Sequence, residues 1–195
     1  MKLKWTSLLL ASGIVLAACG NDDAEDKDTK DAKNKTEQTK ETSSNKATQN
    51  TIKWDDVKVS PEDAVKAAQK DSKGDLKDLS FEKETGKWSY KVELLDGKKE
   101  NKVLIDANTK KVINVENETQ DSDDNDKSFK LSDVAKFEEV LKSAQKEAKG
   151  DLKEWSLSEE NGSLVYSVEL KDGNKPSTEF KIDAKNKNIL EQEQD

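Results

Sequence analysis

The candidates for bond chemistry in this chain are its carboxylates and a single thiol. The 195 residues include 42 aspartates and glutamates, 34 basic residues that are all lysine, no histidine and one cysteine, Cys19. Without histidine or a second thiol, the chain cannot build a Ser-His-Asp or Cys-His pair, a Cys/His zinc site or an internal disulfide. We therefore expect no enzymatic activity, no metal centre and no cofactor.

The acidic segment 121–126 is the one stretch that approaches a metal-binding pattern. Its sequence, Asp-Ser-Asp-Asp-Asn-Asp, places an acid or an amide at the first, third and fifth positions of a calcium loop. The sixth position is Asp126, where such a loop needs glycine, and the twelfth is Ser132 in place of glutamate. An acidic linker is the preferred interpretation, with weak calcium binding as the alternative.

The composition limits both the core and the partners. Hydrophobic residues make up 31% of the chain and charged residues 39%, whereas ordinary domains contain about 45–50% apolar residues. The net charge is −8 and arginine is absent, so bidentate contacts to phosphates or bases are not available. We expect small cores and no nucleic-acid partner.

The N-terminus carries an export signal that ends at the cysteine. A basic start at residues 1–4 precedes eleven uncharged residues, 8–18, too few for a bilayer span of about 20 residues but suited to a signal peptide. The motif Leu16-Ala17-Ala18-Cys19-Gly20 resembles the lipobox of bacterial lipoproteins. The resemblance implies that residues 1–18 are a signal peptide, cleaved between Ala18 and Cys19, and that the Cys19 thiol is acylated.

Acylation implies a location. Two or more acyl chains hold a protein stably on a membrane, whereas one does so only marginally. We therefore expect the chain to bind membrane lipid through Cys19, on the extracytoplasmic face of the cell membrane. Residues 20–51 contain no aromatic and no branched aliphatic side chain, so residues 19–51 are predicted to be a lipidated, disordered tether. Such a long hydrophilic tether is typical of a Gram-positive cell surface.

The remainder of the chain is an internal repeat. Residues 67–97 and 143–173, which are 76 positions apart, share 17 identities in 31 positions. The repeat predicts two modules, residues 52–118 and 127–195, joined by an acidic linker at 119–126.

Each module begins with a helical pattern. In the first, Ser60 is a predicted N-cap and Pro61 occupies the first helical position. In the second, apolar residues recur at helical spacing after Ser132 until Gly150, a predicted C-terminal cap. The spacing predicts a second helix about one turn longer than the first.

Four strands should follow each helix, because the apolar period then changes from 3.6 to 2, and the last strand of each module is predicted at 112–115 and at 189–190. The alternation is clearest at Trp88, Tyr90, Val92 and Leu94, and Asp-Gly hairpin signals follow at 96–97 and 172–173. One apolar face per strand predicts an α+β fold, with one helix packed on one face of a four-stranded antiparallel sheet and the other face wet.

The remaining candidate site residues have ordinary explanations beside functional ones. Asp106 and Asp183 end equivalent strands and are expected to bind local backbone amides in a turn. Trp88 and Tyr90 alternate with aliphatic residues, so core packing is preferred over an aromatic recognition surface. Trp54 stands among polar residues before the first helix, and we treat it as a candidate contact for a partner.

The strand endings resemble those of the PepSY domain. That family typically closes with hydrophobic-x-hydrophobic-Asp-Ala-x-Thr-Gly-x-Val, and this chain has Val103-Leu104-Ile105-Asp106-Ala107-Asn108-Thr109 and Phe180-Lys181-Ile182-Asp183-Ala184. Lys110 and Asn186 stand where the family has glycine. The resemblance implies two tandem PepSY-like, cystatin-like modules. It also implies a binding or regulatory role, because PepSY domains occur in peptidase propeptides and envelope lipoproteins and have no known catalytic residues.

Two functions remain open. The first is a membrane-anchored extracytoplasmic lipoprotein that binds an envelope protein, such as a peptidase, and regulates it. The second is a structural or spacer lipoprotein of the envelope that regulates no enzyme.

Overall fold

The computed structural model describes residues 50–120 and 127–195, which contain two copies of one helix followed by four antiparallel strands. The predicted α+β fold of two tandem modules is confirmed. Both modules belong to one compact unit. The elements of the first module are α1 (Pro61–Asp71), β1 (Asp75–Glu84), β2 (Lys87–Asp96), β3 (Lys99–Asp106) and β4 (Val112–Thr119). Those of the second are α2 (Phe137–Glu147), β5 (Asp151–Glu160), β6 (Ser163–Lys171), β7 (Ser177–Asp183) and β8 (Ile189–Gln194).

Several sequence predictions concern residues outside the described part of the chain. These are the signal peptide at 1–18, the cleavage site at Ala18 and Cys19, the tether as far as residue 49, and segment 121–126 of the acidic linker. They stay predictions. At the linker, β4 continues to Thr119, one residue beyond the predicted end of the first module.

The first helix begins as its sequence predicts. The Ser60 hydroxyl accepts a hydrogen bond from the Asp63 amide at 3.1 Å, and Pro61 is the first helical residue. The cap satisfies one of the amides that a helix start leaves without a partner.

The second helix is shorter than predicted. It begins at Phe137 and has 11 residues, the same length as α1. Val134 and Lys136, on either side of Ala135, have extended backbone, and the Ala135 amide donates to the Ala184 carbonyl at 2.7 Å. The Tyr166 hydroxyl also donates to the Ala135 carbonyl at 3.0 Å. These tertiary hydrogen bonds outweigh the helical spacing of the apolar residues before Phe137.

Gly150 does not cap the helix, contrary to the sequence prediction. The cap position of α2 is Ala148, in an extended conformation. Gly150 instead lies directly before β5, where a Cβ atom would come within 2.7 Å of the Lys171 backbone. Glycine is therefore needed at this position for a close approach of two strands.

The two modules share one sheet. Its strand order is β4-β3-β2-β1-β5-β6-β7-β8, and the modules meet where β1 pairs with β5 in antiparallel register. Ser80 lies opposite Ser156, its equivalent 76 residues later, with Leu79 opposite Leu157 and Phe81 opposite Trp155. Because equivalent residues meet at the centre, this β1–β5 seam resembles the two-fold interface of a homodimer.

The segment before each helix crosses to the other module. Ile52 exchanges backbone hydrogen bonds of 2.8 and 3.0 Å with Leu152. In the reverse direction, the Phe129 amide donates to the Leu76 carbonyl at 2.8 Å. Each module is thus bound to its neighbour by the seam and by two crossing segments.

The core is continuous across the seam. One cluster of buried apolar side chains contains residues from both helices and both halves of the sheet. At its centre, rings from the two modules contact one another: Trp54, Phe81, Trp88, Tyr90, Phe137, Trp155 and Tyr166. The small cores expected from composition are therefore one shared core.

Candidate functional site

The helix-free face of the sheet is covered by paired charges. In the first module, Lys77 donates to Glu100 at 2.6 Å and lies 4.0 Å from Glu93. In the second, Lys153, the equivalent of Lys77, donates to Glu169 at 2.7 Å. Paired lysines and carboxylates are typical of a solvated surface, and charged residues are depleted from the centres of protein interfaces.

The carboxylates on the helix-free face differ in their pKa, because burial and the nearby charges act on each of them to a different extent. Burial is the main cause that raises the pKa of Glu93. At Glu100 burial is again the largest single effect, but hydrogen bonds with Lys77 and Glu93 and the charges of Lys77 and Lys102 together hold the pKa below its ordinary value. Burial, with a smaller contribution from the nearby Glu93 carboxylate, raises the pKa of Asp78 to about 7.

The raised pKa of Asp78 predicts a pH-dependent stability. Between about pH 4 and pH 7 the folded state holds a proton that the unfolded state releases, so stability falls as the pH rises through 7. Asp78→Asn removes this effect. We expect the variant to exceed the parent by about 1–2 kcal/mol in free energy of unfolding at pH 8, because partial exposure screens part of the shift, and to lose this advantage towards pH 4.

Urea denaturation at a series of pH values measures this difference. Asp75→Asn, at the exposed start of the same strand, serves as the control. If the difference in free energy of unfolding between Asp78→Asn and the parent does not vary between pH 4 and pH 8, the pKa of Asp78 is not raised in the folded state.

Asp106 and Asp183 each bind backbone amides of the turn that follows their strand, as the sequence predicts. One oxygen of Asp106 accepts from the Asn108 and Thr109 amides at 2.9 and 2.8 Å, and one oxygen of Asp183 accepts from two amides of its own turn at 2.9 Å. Burial alone would raise the pKa of Asp106, but these amide bonds outweigh it and lower the pKa. Both carboxylates have local structural partners.

The aromatic candidates lie in or beside the core. Tyr90 is fully buried and donates to the Val59 carbonyl at 2.7 Å, while Trp88 is half-buried and stacks on Phe81 at 5.2 Å. The predicted core role of this pair is confirmed.

Trp54, the candidate partner contact, has contacts within the chain. Its ring packs edge-on against Phe137 at 4.6 Å, and its Nε1 donates to Glu138 at 3.3 Å. Both are residues of the other module, so Trp54 helps join the modules. A partner contact by its half-buried surface stays a prediction.

The two ends of the sheet combine exposed apolar side chains with uncovered backbone. The end strands are β4 and β8, and they carry the large hydrophobic residues that are exposed in the described part of the chain: Ile113 at 48%, Val115 at 37% and Leu190 at 58%. Ile113 and Leu190 both stand at a register shift. An end strand also presents backbone amides and carbonyls on its outer side.

A cleft lies beside each end strand, on the helix side of the sheet. The cleft of the first module has a volume of about 560 Å³. Its lining includes the end of α1 at Asp71 and Ser72, and the β4 residues Val115, Asn117 and Thr119. The equivalent cleft of the second module is smaller, about 260 Å³, and is lined in part by Lys149, Asp172 and Lys175.

The sequence predicts these end-strand residues as last strands but does not include them among the candidate site residues. The available signal was the pair of adjacent apolar residues at 112–113 and at 189–190. Two neighbours on a strand face opposite ways, so such a pair indicates either a bulge or an exposed apolar residue.

Within residues 50–120 and 127–195, no three His, Cys, Asp or Glu side chains are grouped so as to hold a metal ion. Neither helix in this part has the length and apolar character that crossing a membrane requires.

Comparison with known proteins gives two relatives. A crystal structure of a candidate lipoprotein, CD1622, of Clostridium difficile 630 superposes with a TM-score of 0.66 and 32% identity, over 75% of this chain and 99% of that one. The uncharacterized protein YkoJ of Bacillus subtilis strain 168 is 29% identical over 123 residues, 63% of this chain and 66% of YkoJ. The chain thus matches slightly less than two thirds of the length of YkoJ.

The family comparison agrees with the internal repeat. The model of the PepSY family, described as the peptidase propeptide and YPEB domain, matches twice, at residues 58–116 and 137–193. Each match begins close to a helix and ends within the last strand of a module. Since the two matches together cover more than half of the sequence, the chain belongs to the PepSY family.

Proposed function

We propose that this chain is a membrane-anchored extracytoplasmic lipoprotein whose joined modules bind another envelope protein and regulate it. It would act by docking and not by bond chemistry. The likeness to a candidate lipoprotein supports an envelope location. A peptidase is the favoured class of partner, because the family is described as a peptidase propeptide domain.

The observation that carries the proposal is the joining of two modules into one sheet. Eight strands about 4.8 Å apart span roughly 34 Å, and strands of eight to ten residues measure about 26–33 Å. A surface of this size matches the roughly 800 Å² that one partner contributes to a standard protein interface. The shared seam and core hold both modules in one arrangement, so a partner can contact both without first ordering them.

A cross-linked pull-down from intact cells tests the docking function. The full chain should capture an envelope protein specifically, and purified chain should change the activity of an envelope peptidase in a panel assay. Capture of no envelope protein, together with no effect on any peptidase tested, would overturn the proposal.

The spacer function has its own support in the paired charges of the helix-free face, which are typical of a surface in water. Deletion of the chain separates the two functions. Altered envelope integrity with unchanged proteolysis would favour the spacer, whereas altered proteolysis would favour regulation.

Lipidation gives a separate prediction. Cys19→Ala removes the only thiol of the chain, so we expect it to abolish labelling by a radioactive or clickable fatty acid and to leave the precursor uncut. Gel mobility and acyl labelling of the two forms measure this. Ser7→Ala, within the same N-terminal region, is the control. Unchanged labelling of Cys19→Ala would refute the anchor.

A further inference from the structure

The outer side of β4 has no neighbouring strand in the described part of the chain. β4 pairs with β3 over seven residue positions and ends the sheet. Alternate amide and carbonyl groups of such a strand point outward and can pair with an added strand. The surface formed by β4 and the cleft beside it is called the β4 edge.

The helix leaves the β4 edge open. Val115 pairs with the buried Val103, so its side chain lies on the helix side of the sheet. Yet Val115 is 37% exposed, and it lines the 560 Å³ cleft beside the end of α1. An extended segment placed along β4 would therefore direct every second side chain into this cleft.

The charged side chains of strand β4 itself have one sign. Glu116 and Glu118 are the charged residues of β4, and they lie on the helix-free face, opposite Lys102 and Glu100 of β3. Lys102 binds Glu118 at 2.8 Å, while Glu116 accepts a hydrogen bond from the Asn114 amide. Both glutamates are exposed, so a strand added at this edge would meet them.

A second copy of the chain does not fit the β4 edge. The other end strand, β8, also carries glutamates and no lysine, at Glu191 and Glu193. Pairing β4 with β4 or with β8 of another copy would therefore align acidic strands, and like charges on paired strands repel. An acidic end strand disfavours pairing between copies and favours a segment that carries lysine.

We propose that the β4 edge binds an extended segment of a partner protein in which lysines alternate with apolar residues. The segment forms a ninth strand. Its lysines lie beside Glu116 and Glu118 on the helix-free face, and its apolar side chains enter the cleft over Val115. The inference rests on the proposed docking function and names the surface and the chemistry of its partner. The β4 edge is favoured over β8 because its cleft is about twice as large.

A labelled peptide tests the proposal on the full chain. The probe is a fluorescent heptapeptide of alternating lysine and valine, and its control replaces each lysine by glutamate. We expect saturable binding of the lysine peptide by fluorescence anisotropy and no binding of the glutamate peptide. Hydrogen exchange should slow at β4 amides and not at β8 amides. Equal binding of both peptides, or protection confined to another part of the chain, would overturn the proposal.

Charge reversal supplies the matched variants. The double change Glu116→Lys and Glu118→Lys should lower the affinity for the lysine peptide by about tenfold or more, since two cross-strand ion pairs become repulsive. The equivalent change at β8, Glu191→Lys with Glu193→Lys, should leave the affinity within about twofold. Val115→Glu tests the cleft independently and should also weaken binding. Circular dichroism checks that each variant is folded.

The outcome separates this inference from the docking function. Suppose that the full chain captures an envelope protein and that the Glu116→Lys, Glu118→Lys variant captures it equally well. The proposal that the β4 edge is the binding surface is then wrong, and the proposed docking function is still supported. If capture is lost in this variant and kept in the β8 variant, the β4 edge is supported. If the lysine peptide does not bind the parent chain, the proposal is overturned whatever the pull-down shows.

Discussion

Trp155→Ala should lower the free energy of unfolding by about 3–5 kcal/mol and convert one unfolding transition into two. Removal of a large buried aromatic side chain costs about this much, through lost burial and the cavity that remains. Trp155 is 2% exposed and stacks on Phe137 with ring centres 4.2 Å apart. It also contacts Trp54 and Tyr90 of the first module, both at 6.3 Å. The substitution therefore weakens both the second module's part of the shared core and the seam.

The loss of cooperativity is the more specific part of this prediction. A domain with one shared core is expected to unfold in a single transition. The β1–β5 seam has only three residue pairs, so contacts such as those of Trp155 are needed to couple the modules. Urea denaturation followed by circular dichroism and by tryptophan fluorescence should give coincident curves for the parent and divergent curves for Trp155→Ala.

Two variants serve as controls for the tryptophan. Trp88→Ala removes a half-buried ring stacked on Phe81 within the first module, so it should destabilise the chain without separating the transitions. Trp155→Phe keeps most of the ring and removes Nε1, a buried donor with no hydrogen-bond partner among the described residues. Its cost should stay below about 1.5 kcal/mol. A single transition with a small loss for Trp155→Ala would contradict the role assigned to the seam.

Gly74→Ala should cost about 3 kcal/mol or more. Gly74 has a φ of +133°, a conformation that residues with a side chain rarely adopt, and an added Cβ would lie 2.8 Å from the Leu95 carbonyl carbon. Both obstacles are backbone in origin, so a change of side-chain rotamer cannot relieve them. Gly74 lies between α1 and β1, directly before the first residue pair of β1 and β2. Moving its backbone away from Leu95 would displace the start of this strand pair.

Chemical denaturation of matched glycine variants measures this cost. Gly150→Ala, at the equivalent place in the second module, should behave alike, because its Cβ would lie 2.7 Å from the Lys171 backbone. Gly86→Ala is the control. Gly86 also has a positive φ, +85°, but nothing lies within 4 Å of an added Cβ, so only the conformational cost of about 1 kcal/mol applies. Equal losses at Gly74 and Gly86 would show that the close approach is not limiting.

The local features of each module could be predicted because their causes lie within a few residues. The Ser60 cap, the Asp106 turn and the alternation through Trp88, Tyr90 and Val92 are each a matter of spacing along the chain. The α2 start could not be predicted in this way. Its apolar spacing before Phe137 is helical, but the backbone of Ala135 is held by hydrogen bonds with Ala184 and Tyr166, which are distant in sequence.

The candidate site shows the same division. The sequence predicts that residues 112–115 and 189–190 form last strands, but not that both strands remain uncovered. Exposure of Val115 depends on where α1 ends, since the helix covers the neighbouring strands and stops beside the cleft. Trp54 changes meaning for a related reason, because its neighbours Phe137 and Glu138 belong to the other module.

By itself, the sequence determined that this chain contains two copies of a helix-and-sheet module without histidine or a second thiol, since periodicity and residue type are local properties. Only the tertiary structure decided that the two copies form one sheet with a shared core and two acidic end strands. The physical reason is that strands pair through backbone groups, which every residue carries. Which strands meet at Ser80 and Ser156, and which remain at the ends, therefore depends on how the apolar faces of both modules pack together.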